Sequence, residues 1–116
     1  MARIESYTPG RIVVDGEAFH HDVIVLPDRV LGEWWRRDGH SLVIEDLDDV
    51  VDELPQRLIL GCGYASRLEP APSVIEALAE RGVKVEALPT DDAVERFGEL
   101  EARNPASVAA ALHLTC

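Results

Sequence analysis

Short apolar runs punctuated by glycine and proline open the chain, and from residue 57 onward strand-like runs alternate with helix-like stripes. Residues 11–14 read as a strand, and Asp15-Gly16 is a hairpin turn signal because glycine tolerates positive φ. Residues 19–26 are the return strand, ending at Pro27, and residues 4–7 add a short strand ahead of both. Between residues 27 and 38, Val30, Leu31, Trp34 and Trp35 are spaced like one helical turn face, yet Pro27 and Gly32 interrupt it. That segment is expected as a loop or short helix packing two tryptophans. Gly39 then opens a strand over residues 41–45. Leu47, Val50, Val51 and Leu54 recur at helical spacing behind acidic residues that suit a helix start, so residues 46–54 predict a helix stopped by Pro55.

The second half is more regular. Residues 58–61 form an apolar strand of the kind covered on both faces. Ser73-Val-Ile-Glu76 matches a capping box, with Val74, Ile75 and Leu78 turned inward and Gly82 as the stop. Residues 83–88 are the next strand. Thr90 is placed to cap a second helix whose stripe is Val94, Phe97 and Leu100. The tail is two-sided: Pro105 and the alanines at 109–111 favour helix by propensity, whereas β-α-β-α alternation favours a closing strand. The pattern predicts one α/β domain over residues 1–116, an N-terminal β-hairpin region followed by β-α-β-α-β units with right-handed crossovers.

At 116 residues, such a domain buries enough surface to need no metal or disulfide staple. Charge narrows the partners. With 22 acidic residues against 11 basic, the net charge of −11 repels phosphate backbones and anionic bilayers, so neither nucleic acid nor membrane is expected. Apolar runs fall far short of the roughly 18 residues a membrane helix needs, and no apolar signal segment opens the chain. The chain reads as cytoplasmic. Two cysteines, Cys62 and Cys116, make no disulfide framework and fit a reducing compartment.

The richest stretch for chemistry is the strand-loop-helix passage from residue 57 to 82. Its glycine-bracketed loop leaves the carboxyl end of a strand, where open α/β sheets hold ligands. Gly61, Cys62, Gly63, Tyr64, Arg67 and Ser73 are therefore candidate ligand-binding residues for a small polar or anionic molecule, through free amides and the Arg67 charge. The loop is neither Gly-x-Gly-x-x-Gly, since position 66 is serine, nor a Walker loop. The plainer reading is a turn that needs glycine. A helix N-terminus and Arg67 would lower the pKa of Cys62, but no His/Asp pair can be assigned to activate it, and the alternative is a small buried thiol. No catalytic residue is assigned.

His20-His21-Asp22 resembles a ligand set, but neighbours on a strand point to opposite faces. Only His20 and Asp22 share a side, and a site would need His40 or His113 from elsewhere. No metal site and no cofactor are assigned. Trp34 and Trp35, with Arg36 and Arg37 beside them, form a candidate partner surface suited to an acidic or carboxylate group.

Several segments in order carry a family likeness: residues 22–27 (Asp-Val-Ile-Val-Leu-Pro), Trp35-Arg36 followed by Gly39-His40, residues 58–63 (Leu-Ile-Leu-Gly-Cys-Gly), Arg81-Gly82-Val83, Leu88-Pro89-Thr90, and residues 109–116 (Ala-Ala-Ala-Leu-His-Leu-Thr-Cys). The chain resembles the Mth938-like domain family over nearly its whole length. That family includes the adipogenesis-associated Mth938 domain-containing protein and a mitochondrial complex I assembly factor. The resemblance implies a three-layer α/β domain with a central mixed sheet, and a final strand in the tail. It supplies no catalytic residues. Cys62 stands where relatives usually have threonine. The expected function is a non-enzymatic binding or assembly module that contacts another protein; the alternative is a small-molecule-binding protein or weak enzyme with its pocket at residues 61–67.

Overall fold

The computed structural model describes residues 3–38 and 40–116. Gly39, expected to open a strand, lies outside them. Strands β1 (Ile4–Thr8), β2 (Arg11–Val14) and β3 (Glu17–Phe19) form a three-stranded antiparallel sheet. The turn between β2 and β3 holds Asp15 at φ 51° and Gly16 at φ 81°, the paired positive angles a tight hairpin requires. The expected strand over 19–26 is two strands. After β3 the chain leaves the first sheet at residues 20–22 and re-forms as β4 (Val23–Val25), which is wholly buried in a second sheet. The polar stretch His20-His21-Asp22 divides a half-exposed strand from a core one.

The second sheet is mixed. Its order is β5-β4-β10-β7-β9, with β5 (Val30–Leu31), β7 (Arg57–Gly61), β9 (Lys84–Leu88) and β10 (Val108–Leu112). The pairs β7–β9 and β7–β10 are parallel, whereas β4 runs antiparallel to both β10 and β5. The tail is thus a strand, as alternation predicted. Burial on both faces overrides the helix propensity of its alanines, and a 3₁₀ turn at Pro105–Ser107 leads into it. A small parallel pair joins β6 (Ser41–Leu42) to β8 (Glu69–Pro70).

Residues 27–54 depart most from expectation. The tryptophan segment is irregular after β5, not helical. The strand at 41 ends after two residues because the Asp46 carboxylate accepts from the Val43 amide and turns the chain. Instead of an α-helix over 46–54, two 3₁₀ turns form at Ile44–Leu47 and Val51–Glu53. Aspartates bond locally to backbone and favour such turns. Leu47 and Val50 still reach the core.

Helix α1 (Pro72–Glu80) begins at proline, with Ala71 as N-cap and no side-chain capping bond, so Ser73 is not its cap. Proline at the first turn brings a preset φ and no orphan N–H. Ile75 is partly exposed, and Val74 and Leu78 carry the packing. The helix ends at Gly82, φ 80°, where the Val83 amide donates back to Leu78 (2.8 Å) and the Gly82 amide to Ala79 (3.0 Å). Helix α2 (Thr90–Arg103) starts at Thr90 itself, whose hydroxyl is engaged elsewhere.

Alternation along the buried strands assigns two core layers. Leu58 and Leu60 of β7, Ala109 and Ala111 of β10 and Ile24 of β4 face the side closed by α1, Leu47 and Val50. Ile59, Val108, Ala110, Leu112, Val23 and Val25 face the side closed by α2 and β2 through Phe97, Ala93 and Ile12. This is the three-layer α/β arrangement that the family resemblance implies. The small side chains of β10 let α2 pack closely on the sheet. Ala110→Leu is expected to overpack that layer and cost about 1–3 kcal/mol in chemical denaturation, against little change for the exposed Ala106→Leu.

Candidate functional site

The antiparallel register of β4 on β10 pairs Leu112 with Val23, so the next residues, His113 and Asp22, leave the sheet side by side. The Asp22 carboxylate collects three donors. Oδ1 accepts from the Leu114 amide (2.8 Å), and Oδ2 lies 2.8 Å from both Arg36 Nη2 and His113 Nδ1. An ionised carboxylate only accepts, so the short contact assigns the Nδ1 proton to a bond onto Asp22. The 3.1 Å approach of Arg36 Nη2 to the same ring nitrogen then reflects two donors crowding one oxygen. Burial pushes the Asp22 carboxyl up, but the bonds from His113, Leu114 and Arg36 outweigh it and hold the group below its usual range.

Arg36 reaches this position through its neighbours. The Trp34 amide donates to the Asp22 carbonyl (2.8 Å), the Trp34 indole donates to the Asp46 carbonyl (2.9 Å), and the Arg36 guanidinium lies over the Trp34 ring at 4.7 Å. The Arg36 side chain is only 4% exposed. Of the four residues predicted as a partner surface, Trp34 and Arg36 are therefore interior. Trp35 is 70% exposed beside His21, and Arg37 is exposed with its amide on Asp46. Around Trp35 lies a surface depression of about 500 Å³ whose walls include Glu33, Glu45, Asp48 and Asp49.

The segment following β10 is pinned from several sides. The Leu114 carbonyl accepts from the Tyr7 hydroxyl and the Gly10 amide (both 2.9 Å), the Thr115 carbonyl from the Tyr64 amide (2.9 Å), and the Cys116 carbonyl from the Arg67 amide (3.0 Å). The loop at 61–67 thus spends most of its amides on the protein itself. Gly63 donates to the Thr90 hydroxyl (2.7 Å), which donates to the His113 carbonyl (2.6 Å), and Cys62 donates to Leu88 (2.8 Å). Gly63 has φ 96°, and a Cβ there would collide with the Thr115 and Cys116 backbone. Gly61, Cys62 and Gly63 are buried, whereas Tyr64, Arg67 and Ser73 are exposed. A cradle of free amides is not what this loop presents, because Leu88, Thr90, the loop's own Gly63 carbonyl and the segment after β10 take most of those bonds. Burial also pushes the Cys62 thiol up, the reverse of the activation considered from sequence.

The sequence places His20 and Asp22 on one side of a strand and requires His40 or His113 from elsewhere to complete a ligand set. The fold brings His40 and His113 together, ring centroids 6.1 Å apart, with the Cys116 thiol 3.4 Å from His40 Nε2. The signals that would have found this cluster are pairings between strands, β4 with β10 for His113 and β6 with β8 for His40, which single-strand periodicity does not contain.

Comparison with known proteins agrees with this architecture. Residues 4–113 match the family described as a protein of unknown function (DUF498/DUF598). Among solved structures, MT938 superposes with a TM-score of 0.79 at 25% identity, each chain covered in full. An outer membrane protein from Bartonella henselae gives 0.83 at 24% identity, covering 99% of this chain and 96% of that one. A Bordetella pertussis protein described as a Mth938-like domain gives 0.77 at 21% identity, covering 97% and 85%. Among the described residues of the present chain, no helix is long and apolar enough to cross a membrane.

Two outcomes test this geometry. A carboxyl whose folded pKa is depressed contributes stability above its unfolded value and loses it as pH falls through the folded one. Stability should therefore decline as pH drops below about 3.8, with a shallower acid limb in Asp22→Asn, measured by urea titration across pH; identical limbs would contradict the assigned bonds. Iodoacetamide should label Cys62 slowly at neutral pH and rapidly only on unfolding, followed by mass spectrometry.

Proposed function

The chain belongs to the DUF498/DUF598 family and has the Mth938-like fold, and on that premise we propose that it is a non-enzymatic binding module that docks a basic protein surface around Trp35. The observation that carries this reading is the exposure of one large indole, 70%, at a depression walled by carboxylates. Tryptophan is among the residues most enriched at the hot spots of protein contacts, and this one stands beside an ion-paired base. Trp34 and Arg36 supply that base.

Charge chooses the partner. The sequence pair Arg36-Arg37 suggested an acidic group, but Arg36 is consumed by Asp22, so Glu33, Glu45, Asp48 and Asp49 outweigh Arg37. With a net charge of −11 behind them, these groups favour a lysine- or arginine-rich surface and speed its approach. A polar or anionic small molecule at the 61–67 loop is less well supported, since most of the amides that would hold it are already bonded.

The test begins with cross-linking capture from source cells and proceeds to titration of the purified partner. Trp35→Ala, at an exposed site, should leave the melting temperature unchanged and weaken binding about 30-fold or more, a hot-spot loss. The double reversal Asp48→Lys/Asp49→Lys should weaken binding and flatten its salt dependence. A partner bound equally by all three proteins would overturn the assignment.

A further inference from the structure

We propose that His40, His113 and Cys116 bind a divalent transition-metal ion, with zinc(II) the ion their chemistry fits. Each offers one ligand atom, and the three atoms lie within 4.8 Å of one another. The His40 Nε2 to Cys116 Sγ distance is 3.4 Å. Bonds of about 2.0–2.1 Å to nitrogen and 2.3 Å to sulfur at a tetrahedral angle put such a pair about 3.6 Å apart, so this edge is already near its bound length. Small side-chain rotations close the remainder, and His40 is exposed and able to make them.

The second observation is independent of the clustering. His113 is 6% exposed, and its Nε2 is buried with no hydrogen-bond partner. A buried polar atom without a partner costs free energy unless something else binds it. Nδ1 is committed to Asp22 at 2.8 Å, which leaves Nε2 as the nitrogen with a lone pair to give. Asp22 is itself fixed by the Leu114 amide and Arg36. A carboxylate holding the far nitrogen of a ligating histidine is the arrangement that orients metal-bound imidazoles and raises their basicity.

The other two ligands are steadied by backbone bonds. The His40 carbonyl accepts from the Glu69 amide (3.0 Å) and its amide donates to Asp38 (2.9 Å), while the Cys116 carbonyl accepts from Arg67. One thiolate and two imidazoles exclude magnesium and calcium, which want oxygen, and suit zinc. Binding forms a metal–sulfur bond and releases the thiol proton to solvent. Three protein ligands leave a fourth position for water or an incoming group.

The test uses the full chain, kept reduced without thiols, titrated with zinc(II) against a chromophoric chelator and with cobalt(II) by absorption. One equivalent should bind, and cobalt should show tetrahedral d–d bands with a thiolate charge-transfer band. Cys116→Ser should abolish the charge-transfer band, and His40→Ala should weaken zinc binding at least 100-fold; both sites are accessible, and circular dichroism will show the fold retained. Asp22→Asn should weaken zinc 10- to 100-fold. Binding below one equivalent, a cobalt complex without the thiolate band, or affinity unchanged in Cys116→Ser and His40→Ala would each overturn the site and leave a thiol–imidazole contact only.

Discussion

The buried contact of Asp22 with His113, Arg36 and the Leu114 amide is the constraint on which the rest depends. It lies where the β4–β10 ladder ends, so it reports strand register directly. Slip β4 by one residue and the carboxylate turns away from all three donors. The same contact draws in Arg36, and through the stacked Trp34 it fixes an otherwise irregular segment against the sheet. Breaking such a pair by removing one partner typically costs about 3–5 kcal/mol, since the other charge is left buried. Its larger effect here is specification: it fixes which indole faces the core and which faces water.

A second set of bonds spreads from the same place. Residues 113–116 accept from Tyr7, Gly10, Tyr64, Arg67 and Thr90, groups contributed by the first hairpin, the glycine loop and α2. The strand extension is a hub where distant parts of the chain are tied. The glycine loop, which in sequence looks like an open ligand cradle, is one of the parts being tied. Gly63 is glycine because positive φ and the approach of the Thr115–Cys116 backbone leave no room for a side chain.

The regular half of the fold was legible because its signals are local. The apolar run at 58–61, the glycine stop at 82 and the stripe through Phe97 each follow from one element's own periodicity. The closing strand was favoured by alternation and by the family resemblance, against the propensity of its alanines. Residues 27–54 were harder because aspartates bonding to nearby amides turn helix-like spacing into 3₁₀ turns. The site was least legible. Asp22, Arg36, His40 and the segment 113–116 are far apart in the chain: the β4–β10 pairing brings Asp22 to His113, and the β6–β8 pairing, with the Glu69 amide on the His40 carbonyl and the Arg67 amide on the Cys116 carbonyl, brings in His40. Charge misled in one respect: two consecutive arginines looked available, but one is buried as a counter-ion.

The central claim concerns one proton. If Asp22 organises this region as described, neutral His113 carries hydrogen on Nδ1 and a lone pair on Nε2. Long-range proton–nitrogen correlation of the imidazole, recorded on metal-free protein above the pH range of imidazole titration, reads this directly. A pyrrole-like Nδ1 with a pyridine-like Nε2 is the predicted result; a bare Nδ1 with the proton on Nε2 would contradict it.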